Sequence, residues 1–201
     1  MEKTVSKPAL STSMMMKISI LGVLSFLLMY FEAPLPLFPG FLKMDLADLP
    51  SIVGGLALGP VAGVLIQLIK NLLKFILNTR TGGVGELANF FIGGSFVYIL
   101  SVFYKYNKTK KGALIGCIVA TLLMSVVGSL ANYFVLIPFY AKIMPLDAII
   151  AMGSSVNALI HDKRTLVLYG VFPFNILKGV LLSLITALIY KKVSPMLKGR
   201  E

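Results

Sequence analysis

The stretch GALIGCIVATLLMSVVGSLANYFVL, residues 112–136, contains no charged side chain. A helix that crosses a bilayer needs roughly 20 mostly apolar residues, so this run is long enough to span one. Gly112, Gly116 and Ala120 form a stripe of small residues along one of its faces, where a second backbone can approach closely.

The same reading extends outward along the chain. Of its 201 residues 57% are hydrophobic and 13% are charged, and the mean hydropathy is +0.89. A soluble domain of this size would be about a quarter charged. The expected fold is an all-α integral membrane protein, a compact bundle of six transmembrane helices. The spans are expected at about 14–31, 46–58, 60–77, 86–103, 112–136 and 171–190, between a cytoplasmic tail of residues 1–13 and a basic tail of residues 191–201. Lys3, Lys7 and Lys17 precede or open the first run, which has the look of a signal peptide. Glu32-Ala33-Pro34 follows it, however, and proline just after a cut would block cleavage, so the run is read as the first helix.

Three prolines, Pro34, Pro36 and Pro39, keep the next segment out of a helix, although it is rich in Leu and Phe. An apolar loop beside a membrane should dip into protein or cover a cavity. Asp45 or Asp48 is expected to cap the second helix, which has Pro50 in its first turn. Gly59-Pro60 breaks that helix from the third, and Gly55, Gly59 and Gly63 read as close packing at a tight turn. Gly83-Val84-Gly85-Glu86-Leu87-Ala88 matches a loose dinucleotide fingerprint, but no strand precedes it.

Charge sets the orientation. The net charge is +11, and most of the 19 basic residues lie in the terminal segments and the 105–111 loop. The positive-inside rule then places both termini in the cytoplasm and the 32–45 and 138–170 loops outside, and it accounts for the charge without nucleic acid.

Polar side chains inside a membrane are costly and usually face a bundle interior or a wet cavity. Asn175 and Lys178 share a face of the last helix, Asn132 lies near the outer end of the fifth, and Asn89 near the outer end of the fourth. With Lys43 and Asp45 on the proline loop they outline one polar cluster that opens outward. No acid lies in the fifth or sixth helix to pair with Lys178, which therefore reads as an ammonium awaiting a ligand. Gln67, Lys70, Asn71, Lys74 and Asn78 fall on one face of the third helix. Snorkelling to the outer headgroups explains that face; a cavity edge or a basic lure for an anionic ligand is the alternative.

Other chemistries are poorly supplied. One cysteine, Cys117, and one histidine, His161, do not make a zinc site, so no metal is expected. No G-x-x-x-x-G-K-[ST] loop is present, so the chain should not hydrolyse ATP itself. Ser155 and His161 are six apart in one loop with nothing to orient the histidine, so the chain is not read as an enzyme.

Four segments carry a family likeness. They are Pro34 to Pro50, Gly83 to Phe90, Asn132-Tyr133, and Pro173-Phe174-Asn175-Ile176-Leu177-Lys178-Gly179. In this order they resemble the riboflavin-specific S components, the RibU type, of energy-coupling factor (ECF) transporters, and the resemblance covers about Met16 to Tyr190. It implies a six-helix subunit of the bacterial plasma membrane that captures riboflavin from outside, with FMN as a further candidate ligand and no cofactor. It also implies a transmembrane coupling subunit and two cytoplasmic ATPases as partners. By that likeness Asn132, Asn175 and Lys178 contact the isoalloxazine ring, and the Lys43–Asp45 stretch helps close over it. Many such components dock through an Ala-x-x-x-Ala face on the first helix; here Ser19, Gly22 and Ser25 stand in its place. An S component for another vitamin, or a membrane bundle whose polar cluster is purely structural, are the alternatives.

Overall fold

The structure is a computed structural model, and it describes residues 11–198. Helix α1 is Thr12–Leu28, capped by the Ser11 hydroxyl, which accepts from the Met14 amide at 3.3 Å. The proline loop follows, tied off by a two-residue ladder in which β1, Ala33–Pro34, pairs antiparallel with β2, Lys43–Met44. Helices α2, Leu49–Leu58, and α3, Pro60–Asn78, meet at Gly59, whose φ of 111° suits only glycine. A Cβ on Gly63 would lie 2.8 Å from the Cα of Gly55, so the glycine spacing does serve close packing at this turn.

Helix α4 is Val84–Tyr106 and starts after Gly83, at φ 96°. Helix α5, Lys110–Ala131, is capped by Thr109 and does not end where the apolar run ends. A π-helical turn, Asn132–Leu136, carries it into α6, Ile137–Tyr140. After α7, Leu146–Ser154, the last rod begins with α8, Lys163–Leu166, passes through a second π turn, Val167–Val171, and becomes α9, Phe172–Lys198.

These ends correct the sequence-based boundaries. The last rod starts at Lys163 rather than Val171, because Asp162 and Thr165 form a capping box in which the Asp162 carboxylate accepts from the Thr165 amide at 2.7 Å. The loop expected over 138–170 is therefore largely helical. Pro138 lies just past the expected end of the fifth span and Pro173 in the first turn of the expected sixth, but the helix runs through both, because each follows a π turn whose amide bonds reach back five residues: Ile137 to the Asn132 carbonyl, and Phe172 to that of Val167. The shifted register accommodates the proline's missing N–H.

Four segments are long and apolar enough to cross a membrane: Pro60–Asn78, Val84–Tyr106, Lys111–Tyr140 and Lys163–Tyr190. Thr12–Leu28 and Leu49–Leu58 are apolar but shorter. Helix α1 packs on α3, α4 on α3 and α5, and α9 on α2 and α5. The proline loop dips into protein, as its composition suggests. Leu35, Phe38, Phe41 and Met44 pack on a cluster that includes Ile137, Ile160, Val171 and Phe174, and the Phe38 and Phe174 rings meet edge to face with centroids 5.4 Å apart. The Lys3 and Lys7 positions of the N-terminal tail and Arg200 of the C-terminal tail lie outside the described residues.

The small face of α1 turns inward. A Cβ on Gly22 would meet Ile69 Cγ2 of α3 at 2.5 Å, and Ser25 is fully buried with its hydroxyl 3.3 Å from that of Ser51 on α2. Ser19 is exposed and bonds the Met15 carbonyl. Gly22 and Ser25 are thus spent on contacts within the chain, which corrects their reading as part of a docking stripe. Gly22→Leu is expected to lower stability by about 1–3 kcal/mol through overpacking against Ile69. Thermal unfolding of the purified variant reads this; an unchanged transition would return Gly22 to the outer surface.

Candidate functional site

A cavity of about 290 Å³ opens at the end of the bundle opposite the 105–111 loop. That is close to the lower bound, roughly 300 Å³, of small-molecule pockets. The proline loop, the heads of α4, the π turn after α5, and α9 all contribute to its wall. Lys43, Asp45, Asn89, Asn132, Asn175 and Lys178 all line it, so the cluster drawn from sequence is one place in space.

Asn132 and Asn175 are both 4% exposed. Each amide donates one hydrogen back to its own helix, Asn132 to the Gly128 carbonyl and Asn175 to that of Val171, both at 2.9 Å. A second N–H and the amide oxygen remain on each. These free groups present a donor and an acceptor side by side; Asn132 opens the first π turn, a feature frequent at functional sites, and Asn175 lies in α9 one turn past the second. Gly128 makes room for one of them: a Cβ there would lie 2.7 Å from Asn175 Nδ2. Phe174, Phe41, Leu42 and Ile92 supply apolar wall, and the Asn89 amide oxygen is buried without a hydrogen-bond partner in the structure.

Lys178 differs from the sequence-based expectation. Its ammonium is not awaiting a partner: it lies 3.2 Å from Asp45 Oδ2 and 3.1 Å from Asp48 Oδ2. The acids were sought on the fifth and sixth helices, whereas they come from the segment leading into α2. Asp48 Oδ1 in turn accepts from Lys70 Nζ at 2.6 Å and from Gln67 Nε2 at 2.7 Å. Lys70 and Gln67 are fully buried, which corrects their snorkelling reading; the polar face of α3 points into the bundle. Two lysines and two aspartates thus form a neutral buried cluster. Helix α4 closes over it at Gly93, where a Cβ would lie 2.9 Å from Asp48 Oδ1.

The carboxylates are therefore not free to cap α2. Asp48 occupies the cap position with no side-chain cap bond, and Asp45 Oδ1 accepts from the Ala47 amide at 2.9 Å. Lys178 has three hydrogens and two carboxylate partners, which leaves one to offer the cavity.

The rim was less visible from sequence. Lys43 pairs with Glu32 at 2.7 Å, the Lys74 ammonium lies 5.1 Å from the Tyr30 ring centroid, and Glu86 accepts from the Thr81 hydroxyl at 2.8 Å. Lys74, Arg80, Thr81, Glu86 and Tyr140 border the cavity as well. Lys74 was legible as a cavity edge from the polar face of α3, whereas Arg80, Thr81 and Tyr140 carried no signal in the sequence. His161 is exposed, with Nδ1 at 3.0 Å from the Leu159 carbonyl, and the Ser155 hydroxyl donates to the Met152 carbonyl at 3.1 Å. No group of metal-ligating side chains occurs among the described residues.

The sequence profile described as "ECF transporter, substrate-specific component" matches residues 13–190. The chain belongs to that family. As an S component it is a substrate-binding subunit of a transporter that works with an energy-coupling module, and not an enzyme. It is 34% identical to the riboflavin transporter RibU of Staphylococcus aureus (strain TCH60), over 90% of each chain. It is 31% identical to the riboflavin transporter FmnP of Bacillus subtilis (strain 168), over 92% of this chain and 93% of that one. The solved S component of a bacterial ECF transporter superposes with a TM-score of 0.72 at 33% identity, covering 92% of this chain and 98% of the other.

Proposed function

We propose that this S component captures riboflavin from outside the bacterial plasma membrane and delivers it to an ECF module of one transmembrane coupling subunit and two cytoplasmic ATPases. The observation that supports this most is the pair of buried amides, Asn132 and Asn175, beside Lys178 on one wall of the cavity. The flavin's pyrimidine edge alternates carbonyl, N–H and carbonyl. Amide oxygens accept from the N–H, while the spare amide hydrogens and the third Lys178 hydrogen donate to the carbonyls. The tricyclic body would lie against Phe174, Leu42 and Ile92. A site built for that edge rejects analogues that lack it, because its own groups would stay unpaired. Names of the relatives point to the same ligand class.

In this reading the chain crosses the bilayer six times, with α1 and α2 as the short crossings, and both termini are cytoplasmic. Lys43, Asp45 and Asn89 complete the ligand wall, and the proline loop forms its cover. Ser19, the one exposed member of the α1 set, remains on a surface available to the coupling subunit.

Purified protein should carry a yellow flavin chromophore or quench added riboflavin. A preparation that stays colourless and unquenched overturns the assignment. Gly128→Ala pushes into Asn175 and is expected to weaken riboflavin binding about five- to tenfold, near the worth of one hydrogen bond, while the fold stands. Fluorescence titration measures it; native affinity would remove Asn175 from the contact. Topology has its own check. Arg164→Cys in a Cys117→Ala background should react with an impermeant thiol reagent on intact cells, and labelling only after lysis would invert the orientation.

A further inference from the structure

A second cavity, of about 460 Å³, lies at the other end of the bundle, between α4, α5 and α9, where the 105–111 loop joins α4 to α5. Small residues line it from two helices, Ala113 on α5 and Ser183 and Ala187 on α9. Tyr190 closes its floor, with the hydroxyl donating to the Leu56 carbonyl at 3.3 Å and the ring edge to face with Tyr104. The cleft opens sideways, because its lips, Leu114 and Leu184, are 62% and 58% exposed and belong to two of the spanning segments. Whatever fills it enters from the bilayer.

Two further features describe the occupant. Lys108 stands at the mouth and no carboxylate lines the cleft; among the described residues none is in ion-pair contact with it. Lys105 and Lys111 flank it in sequence, and Tyr106-Asn107-Lys108-Thr109 contains no acid to offset them. Inside, Thr186 is 4% exposed and its hydroxyl is buried in the wall without a hydrogen-bond partner in the structure. The Ser183 hydroxyl in the same wall is likewise buried without one, and buried hydroxyls in a mostly apolar cleft are costly unless something accepts from them. A hydrocarbon chain beside an acceptor such as an ester carbonyl, under an anionic group, meets all of these demands. A partner helix fits less well: it is about 10–12 Å across, so this volume would take little more than one turn of it.

We propose that this cleft binds one anionic phospholipid, with an acyl chain between α5 and α9, an ester carbonyl near Thr186 and the phosphate at Lys108. Basic pockets between helices at the positively charged side of a membrane suit such headgroups. The site is separate from the cavity at the opposite end and does not depend on which substrate that cavity takes.

The test uses the full chain in nanodiscs of equal parts phosphatidylglycerol and phosphatidylcholine with matched acyl chains. Lipids that survive release into native mass spectrometry are then counted. The native protein should retain phosphatidylglycerol preferentially, at one copy. Lys108→Gln should cut that preference about fivefold, the usual worth of one lysine near a charged headgroup. Ala187→Phe, which fills the cleft, should abolish retention of both lipids, and Thr186→Val should shorten retention without changing the headgroup preference. A thermal transition in the native range shows each variant folded. Equal retention of the two lipids by native protein overturns the proposal. So does retention unmoved by both Lys108→Gln and Ala187→Phe, or cross-linking of Cys117 to the coupling subunit in the assembled transporter, which would make the cleft a helix dock.

Discussion

Lys178→Met should lower the thermal transition of the purified protein and weaken riboflavin binding at once. From sequence alone the opposite stability effect follows, because deleting an unpaired buried ammonium relieves a cost. In the structure that ammonium holds Asp45 and Asp48, and its side chain is 8% exposed. Breaking a buried pair from one side costs about 3–5 kcal/mol, because the remaining charge is stranded. Asp48 keeps Lys70, so the loss falls mainly on Asp45, which retains only the Ala47 amide among the contacts found. The cost should therefore lie near the bottom of that range. Binding should weaken by about 1.5–3 kcal/mol, roughly 10- to 150-fold, for the charged hydrogen bond to the flavin edge. Adding Asp45→Asn to Lys178→Met removes the stranded charge and should restore much of the stability but not the affinity. Melting unchanged in the single variant would mean that Asp45 and Asp48 do not depend on this lysine, and affinity unchanged would take it out of the site.

Asp48→Ala is expected to be the most damaging single change in the chain. Asp48 is the hub: it receives Lys70, Gln67 and Lys178, and its side chain is 3% exposed. Its loss leaves Lys70, fully buried, with no carboxylate, and leaves Lys178 with Asp45 alone. The expected cost is about 3–5 kcal/mol, a large share of the roughly 5–15 kcal/mol by which proteins are stable. Poor yield of folded protein in detergent is the anticipated phenotype. A combined Asp48→Asn and Lys70→Met variant separates charge from shape: it leaves Lys178 and Asp45 as one balanced pair. Recovery of the folded yield in the double variant, with each single change still poor, gives the coupling expected of groups in direct contact. If the double variant is no better than Asp48→Ala, the defect is one of packing and the charge balance is not the cause.

The membrane class and the position of the site were legible because both depend on local composition. Long apolar runs identified α3, α4 and the α5 and α9 rods, and isolated Asn and Lys residues within or beside them marked the cavity. The partner of Lys178 was not legible. It lies 133 residues away, and no periodicity reports which end of which helix a distant acid will reach. The π turns were hidden for another reason: a proline reads as a break unless the preceding register has already shifted. The 138–170 stretch was read as a loop, although Asp162 with Thr165 three residues on already had the pattern of a helix start. Gly22 and Ser25 were placed on a face correctly, but sequence spacing does not say whether a face meets the chain's own helices or another subunit.

The separation between Asp45 and Lys178 also bears on how the protein is made. Helices enter the membrane in order as the ribosome delivers them. Asp48 can find Lys70 early, since the two are 22 residues apart. Asp45 gains its lysine only when nearly the whole polypeptide has been delivered. Until then the proline loop has an acid in want of a countercharge and no α9 to lean on. A chain that ends before Lys178 therefore leaves the Asp45 carboxylate without the countercharge that holds it in the folded bundle.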